Sequence, residues 1–273
     1  MGYVDLHIHS IHSDGTFDAR QIVQRALQNG ASAISVTDHN VLLGSLEAEP
    51  LAHAAGLKYV CGVEIDALFA GRDYHLLCYG ADLRDPGLVA LVADARARMD
   101  AMSDELLARM RPDFPQLDAQ EYARMDYDPS QGGWKMLEYL CLKGITAHRA
   151  QGMRFYSQYA VTYAQAGFAP VEQVARVIRA AGGRAILAHP GVSIPGENPS
   201  REIEAVLETG LEGVECYYPR HTRAMEKLCL AICRRRGLLV SAGSDCHGAF
   251  QAADIAQTRT PEENVSLELL GVK

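Results

Sequence analysis

His7 and His9 form an H-x-H pair at the end of an apolar run, Tyr3–His7. Side chains two apart on a strand share a face, so both imidazoles project together and can grip one cation from one side. Residues of the same chemical kind recur along the chain. Asp14 follows in the turn Ser13-Asp14-Gly15, His39 closes Thr37-Asp38-His39, and Glu64 closes Gly62-Val63-Glu64. His75 sits beside Tyr74, His189 opens His189-Pro190-Gly191, and Asp245 and His247 flank Cys246. Burying so many imidazoles and carboxylates without partners would be costly, and divalent cations are the economical way to hold them together. A donor set of nitrogen and oxygen without thiolate suits manganese, iron(II) or zinc and fits calcium poorly. The Cys246 thiol is expected to point away from the face that Asp245 and His247 share.

Such groups meet only if the elements that carry them end in one place. Apolar or β-branched runs at Tyr3–His7, Ala33–Thr37, Lys58–Ile65, His75–Tyr79, Arg184–Ala188, Gly213–Cys216 and Leu238–Gly243 read as strands. Between them, Asp18–Asn29, Val171–Ala181, Arg201–Thr209 and Arg220–Arg236 carry apolar residues at three and four spacing, as helices do. The alternation implies a parallel α/β sheet or barrel, whose functional face is formed by strand C-terminal ends. The rhythm breaks between about Ala81 and Phe168, where Pro86–Met110, Gln116–Met125, Trp134–Leu142 and Phe155–Ala166 read as helices joined by Pro- and Gly-rich turns. The expected organisation is therefore a body of residues 1–80 and 168–273, with an inserted helical subdomain, residues 81–167, covering the active site.

Composition bounds the setting. The chain has 273 residues, 48% apolar and 22% charged, which excludes disorder and a disulfide-built mini-protein. No apolar run approaches the ~18–20 residues of a membrane span, and no basic segment followed by an apolar one marks a secretory signal. Seven cysteines without C-x-x-C spacing suit reduced thiols, so a cytoplasmic location is expected. A net charge of −8 offers no broad attraction to nucleic acid or anionic lipid. An anionic substrate would need metals or a few placed cations.

The motifs carry a family resemblance. Asp5-Leu6-His7-Ile8-His9-Ser10 with Ser13-Asp14-Gly15, Thr37-Asp38-His39, Ala188-His189-Pro190 and Ser244-Asp245-Cys246-His247 resemble the polymerase and histidinol phosphatase (PHP) domain. The resemblance covers residues 1–80 and 168–273. It implies a distorted (β/α)7 barrel, related to the amidohydrolases, with a helical insertion. It also implies three neighbouring divalent ions, Mn2+, Fe2+ or Zn2+. His7, His9 and Asp245 would hold the first, with Glu64 bridging. Asp14, His39 and His247 would hold the second, and Glu64, His75 and His189 the third. All nine positions carry a residue able to ligate.

Two or three divalent cations within about 4 Å can bridge a hydroxide, lower the pKa of its parent water towards ~7 and screen phosphate charge. The expected activity is metal-dependent hydrolysis of a small phosphorylated metabolite, a phosphomonoester or cyclic phosphodiester of a sugar or nucleotide, by that hydroxide. His12 and His221 are the candidates for protonating the leaving group, and Asp38 for orienting a ligand imidazole. Lys135, Lys143, Arg149, Arg154 and Arg220 are the candidates for contacting substrate. Trp134 and Tyr217 are expected to pack rather than stack on a ligand. Narrower alternatives are a nucleoside 3',5'-bisphosphate phosphatase, a histidinol-phosphate phosphatase and a PHP-type 3'-5' exonuclease. The acidic charge and absent basic stripe oppose a nucleic-acid partner, and the intact donor set opposes a non-catalytic module. The oligomeric state is left open.

Overall fold

The computed structural model describes residues 2–194, 196 and 198–272. Met1 and Lys273, the outer limits of the expected body, lie outside the described residues. The first half runs β1 (Tyr3–Ile8), α1 (Ala19–Gln28), β2 (Ala31–Val36), α2 (Leu43–Ala54), β3 (Lys58–Tyr59), β4 (Gly62–Phe69) and β5 (Arg72–Tyr79). Helices α3 (Pro86–Met110), α4 (Ala119–Arg124), α5 (Lys135–Leu142), α6 (Met153–Gln158) and α7 (Tyr163–Ala166) follow. The chain then alternates again: α8 (Val171–Ala180), β6 (Arg184–Leu187), α9 (Pro190–Ser193), α10 (Pro199–Leu207), β7 (Gly213–Tyr217), α11 (Arg223–Arg236), β8 (Leu239–Ala242) and β9 (Thr260–Pro261).

Helix starts follow local chemistry. Asp18 and Gln21 form a reciprocal capping box on α1, and Asp85 caps α3 with Pro86 in its first turn. Two expected elements divide. The run Lys58–Ile65 breaks after Tyr59, giving β3 and β4 in different sheets, and Phe155–Ala166 breaks where Ala160 takes φ 53°. Helix α2, with Pro50 inside it, was not foreshadowed by periodicity.

Two sheets form, in the orders β3-β2-β1-β9 and β4-β5-β6-β7-β8. Pairs β1–β2, β6–β7 and β7–β8 are parallel, but β5 is antiparallel to both β4 and β6. The all-parallel expectation is corrected by a two-residue turn. Ala70 and Gly71 both take positive φ, as a tight I′-type hairpin requires, and send the chain straight back beside β4. The sheets meet at two isolated parallel bridges, Ile8↔Cys246 and His39↔Glu64. No continuous ladder closes them into a barrel among the described residues.

Both bridges lie beside expected ligands. Away from them, Val4, Leu6, Leu77, Tyr79, Ile186 and Ala242 fill the space between the sheets, and the Tyr79 hydroxyl donates to Leu6 O at 2.8 Å. Helices α8, α10 and α11 pack on the outer face of the second sheet, and α1 and α2 on that of the first. Helices α3 to α7 bury a core of their own around Met102, Leu106, Met110, Tyr139 and Phe155. No helix among the described residues is long and apolar enough to cross a membrane.

Candidate metal centre

Backbone geometry turns the motif residues inward. His7 and His9 share a face, as their spacing predicts, and their Nε2 atoms lie 3.1 Å apart. Gly243 passes so close to β1 that a Cβ there would sit 2.1 Å from His7 Cβ. His189 and Asp245 take positive φ (26° and 55°), an uncommon conformation for non-glycine residues that clusters at functional sites.

Glu64 is the hub. Its Oε2 lies 3.1 Å from His7 Nε2, 3.2 Å from His9 Nε2 and 3.3 Å from His39 Nδ1. Its Oε1 lies 3.1 Å from His75 Nδ1 and 3.0 Å from His189 Nε2. Asp245 Oδ1 reaches His9 Nε2 at 3.1 Å, and Asp14 Oδ1 reaches His247 Nε2 at 3.2 Å. Three sets could each hold a cation: His7, His9, Glu64 and Asp245; His9, Asp14, His39 and His247; and His39, Glu64 and His75. The nine expected positions are thus brought together. His9, His39 and Glu64 each enter two sets, while His189 adjoins the third through Glu64 at 3.0 Å and the edge of the His75 ring.

The side chains fit cations by an independent criterion. Buried polar atoms are almost always hydrogen-bonded. Yet Asp14 Oδ1, His39 Nδ1, Glu64 Oε2 and Asp66 Oδ1 are buried with no hydrogen-bond partner. Burial alone would raise the Glu64 carboxyl, but His39, His7 and His75 around it hold it well below the usual carboxylate range. Burial likewise opposes charge on His75, but Glu64 and Asp66 lift it to about 10. Without cations, protons take their place on the imidazoles, so metal and proton compete for the same lone pairs.

Supporting residues escaped the sequence reading. Glu215, buried in β7, accepts from His7 Nδ1 at 3.0 Å and from the His189 backbone N–H at 2.7 Å, leaving His7 Nε2 free to face the centre. The Tyr218 hydroxyl donates to Asp245 Oδ2 at 3.0 Å. Asp66 lies beside His39 and His75, and Asp5 accepts from Ser244, Ala256 and His7 amides. For Asp5, Asp66 and Glu215 the one trace in the sequence is an acid inside an otherwise apolar strand; Tyr218 has none.

The catalytic candidates fall into different settings. Asp38 touches no imidazole directly: its oxygens accept from the Ser10 amide and the Ser10 and Ser13 hydroxyls, fixing the loop after β1, and Ser13 Oγ in turn lies 3.5 Å from His9 Nδ1. Both His221 nitrogens are engaged, Nδ1 with Cys216 O and Nε2 with the Gly191 amide, so it holds backbone rather than a transferable proton. His12 is partly exposed, with Nε2 2.8 Å from Glu47 Oε2.

A cavity of ≈ 900 Å³ opens beside His75, walled by α3, α4 and residues of α5 to α7. Of the five expected substrate contacts only Lys135 lines it. Lys143 and Arg149 pair with Glu121 and Glu138, Arg154 lies over Phe155, and Arg220 is exposed beyond β7. Local geometry turned Lys143, Arg149 and Arg154 to neighbouring carboxylates and a ring, which short sequence spacing does not reveal. Instead the wall offers Arg72 and Arg96, the latter over the Trp134 ring at 5.4 Å.

Comparison with known proteins agrees with the motif reading. The PHP domain profile matches residues 5–128, so the expected resemblance is borne out. Three relatives are each 27% identical. A phosphoribosyl 1,2-cyclic phosphate 1,2-diphosphodiesterase of Eggerthella lenta aligns over 94% of this chain and 98% of its own. A 5'-3' exoribonuclease of Haemophilus influenzae aligns over 89% of each, and a 3',5'-nucleoside bisphosphate phosphatase of Chromobacterium violaceum over 94% and 92%. A solved amidohydrolase from Chromobacterium violaceum with bound sulfate and no metal, 24% identical, superposes with TM-score 0.76 over 97% of this chain and 90% of its own. That likeness shows the mixed α/β fold.

Proposed function

Starting from the PHP domain over residues 5–128, we propose that this chain is a metal-dependent phosphoesterase acting on a small phosphorylated metabolite, a phosphomonoester or cyclic phosphodiester of a sugar or nucleotide. The observation that carries the reading is the Glu64 hub. Imidazoles from β1, β5 and the segments after β1, β2 and β6 converge on one carboxylate whose Oε2 has no hydrogen-bond partner.

His7, His9 and Asp245 would hold one ion with Glu64; Asp14, His39 and His247 a second; Glu64, His75 and His189 a third. Manganese, iron(II) or zinc suits those donors. Such ions, when bound, lower the pKa of a water and screen phosphate oxygens. The chain does the rest. Glu215 and Tyr218 fix the ring of His7 and the carboxylate of Asp245, and Lys135, Arg72 and Arg96 line the space where a substrate body would lie. His12, backed by Glu47, is our candidate for delivering a proton to the leaving oxygen.

The two bridges support a distorted (β/α)7 barrel of β1, β2, β4, β5, β6, β7 and β8, with residues 1–80 and 168–273 as body and 81–167 as an inserted cover. The cavity's scale suits a nucleotide-sized ligand. Its wall carries Asp73, Asp100 and Asp104 against Arg72, Arg96 and Lys135, which is no basic track for a polynucleotide. The cysteines form no disulfide among the described residues, which supports a cytoplasmic setting.

The test is phosphate release or ring opening by Mn2+-reconstituted protein on cyclic ribose phosphates, nucleoside 3',5'-bisphosphates, histidinol phosphate and a short RNA. Turnover of a small ester above RNA is expected. RNA preferred over every small ester would replace the reading with a nuclease, and no hydrolysis of any would overturn it.

A further inference from the structure

Asp66 is a carboxylate at this centre that the motif pattern does not use. It lies on β4 two residues after Glu64, hence on the same face, and its register partner on β5 is His75. The side chain is buried, with 1% of the residue exposed. Asn40, in a left-handed conformation at φ 51°, clamps it twice: Asn40 Oδ1 accepts the Asp66 amide at 3.1 Å, and Asn40 Nδ2 donates to Asp66 Oδ2 at 2.6 Å. One oxygen is thereby committed and the other aimed. That other oxygen, Oδ1, lies 3.3 Å from His75 Nε2 and 3.5 Å from His39 Nδ1 and has no hydrogen-bond partner. His39 Nδ1 and Glu64 Oε2, donors of the same set, are buried without a partner in the same way, as are Asp14 Oδ1, Ser35 Oγ and Thr37 Oγ1.

We propose that Asp66 Oδ1 is a direct ligand of the third cation, the one held by Glu64 and His75, with the His39 ring beside it. The inference rests on the metal-centre reading above and adds a carboxylate to it. A second carboxylate raises the negative charge on that site and shifts its preference towards oxygen-loving manganese or iron(II) and away from zinc. Asn40 is then a positioning residue that keeps Asp66 from swinging back along the strand.

The test compares wild type, Asp66→Asn and Asp66→Cys, stripped with chelator and refilled. After Mn2+ loading and gel filtration, metal content per chain is read by mass spectrometry and affinities by calorimetry. Asp66→Asn, close in size, should retain the fold, checked by its thermal midpoint, yet lose one Mn2+ per chain and bind its weakest ion at least ~10-fold less tightly. Asp66→Cys titrated with Cd2+ should develop an ultraviolet thiolate-to-cadmium charge-transfer band absent from wild type, because only a direct ligand produces it. Unchanged Mn2+ content and affinity in Asp66→Asn, or no such band in a folded Asp66→Cys chain, overturns the inference while leaving the metal centre standing. A wild-type chain that takes up no cation overturns both. Should Asp66→Asn fail to fold, the Cd2+ band decides.

Discussion

Glu64 faces five imidazoles, those of His7, His9, His39, His75 and His189. Removing it leaves rings aimed at nothing. Glu64→Ala is expected to lower turnover by at least ~100-fold and reduce bound Mn2+, since even an outer supporting residue typically costs 10–100-fold. His53→Ala is the matched control. That ring is exposed on α2 and stands edge-on to Tyr59, so both turnover and metal content should match wild type. Equal metal content in the Glu64→Ala and wild-type proteins would refute the hub. At this scale the residue types were readable before the fold: H-x-H, the lone Asp and Glu, and the Asp-x-His pair. Glu215 and Asp66 were not, because a buried acid in a strand has no recognisable spacing until its partners arrive from other strands.

At the scale of elements, the site depends on strands that approach more closely than side chains would allow. Gly243, just after β8, has no room for a Cβ: one would lie 2.1 Å from His7 Cβ and 2.6 Å from Glu215 Oε1. Gly243→Ala must push β1 or Glu215 aside. Overpacking of this kind costs typically ~1–3 kcal/mol, and we expect that loss in urea unfolding together with weaker Mn2+ binding. Unfolding at the wild-type midpoint would show that the strands had slack. The hairpin after β4 is the other element-scale device, since it places Asp66 and His75 side by side in register. Its Ala70-Gly71 turn lies between expected runs, and nothing in apolar periodicity distinguishes an antiparallel return there from a parallel crossover.

For the whole molecule, the charge at the centre sets a pH signature once cations are removed. His75 is held up to about 10; burial opposes this, and the carboxylates of Glu64 and Asp66 outweigh it. Against an unfolded value near ~6.5, the folded state holds the extra proton. The stabilisation is therefore complete below ~6.5 and is lost as pH rises through about 10. His7, His9 and His39 are raised too, burial again being overcome by neighbouring carboxylates. The lowered Asp14, Glu64 and Asp245 act on the acid side, where their contribution fades below ~4. The chelator-stripped protein should lose thermal midpoint steadily between pH 6.5 and 10, and saturating Mn2+ should flatten that slope. A stripped protein whose midpoint is flat or rising across this window would contradict it.

What the chain's order of residues determined alone was the donor set, its kind of chemistry and the alternation of strand and helix. These are local properties: periodicity of two or of about 3.6, and residue types at strand ends. Tertiary structure decided which donors stand close enough to share a cation, that β5 runs backwards, that Asp38 holds the serines of the loop after β1 and that His221 holds backbone. It also turned Lys143, Arg149 and Arg154 away from the cavity that Arg72 and Arg96 line instead. Those outcomes depend on contacts between residues tens to hundreds of positions apart, such as Glu64 with His189 or His7 with Glu215. A side chain's partner is set by where other strands bring theirs, and no window along the chain contains that information.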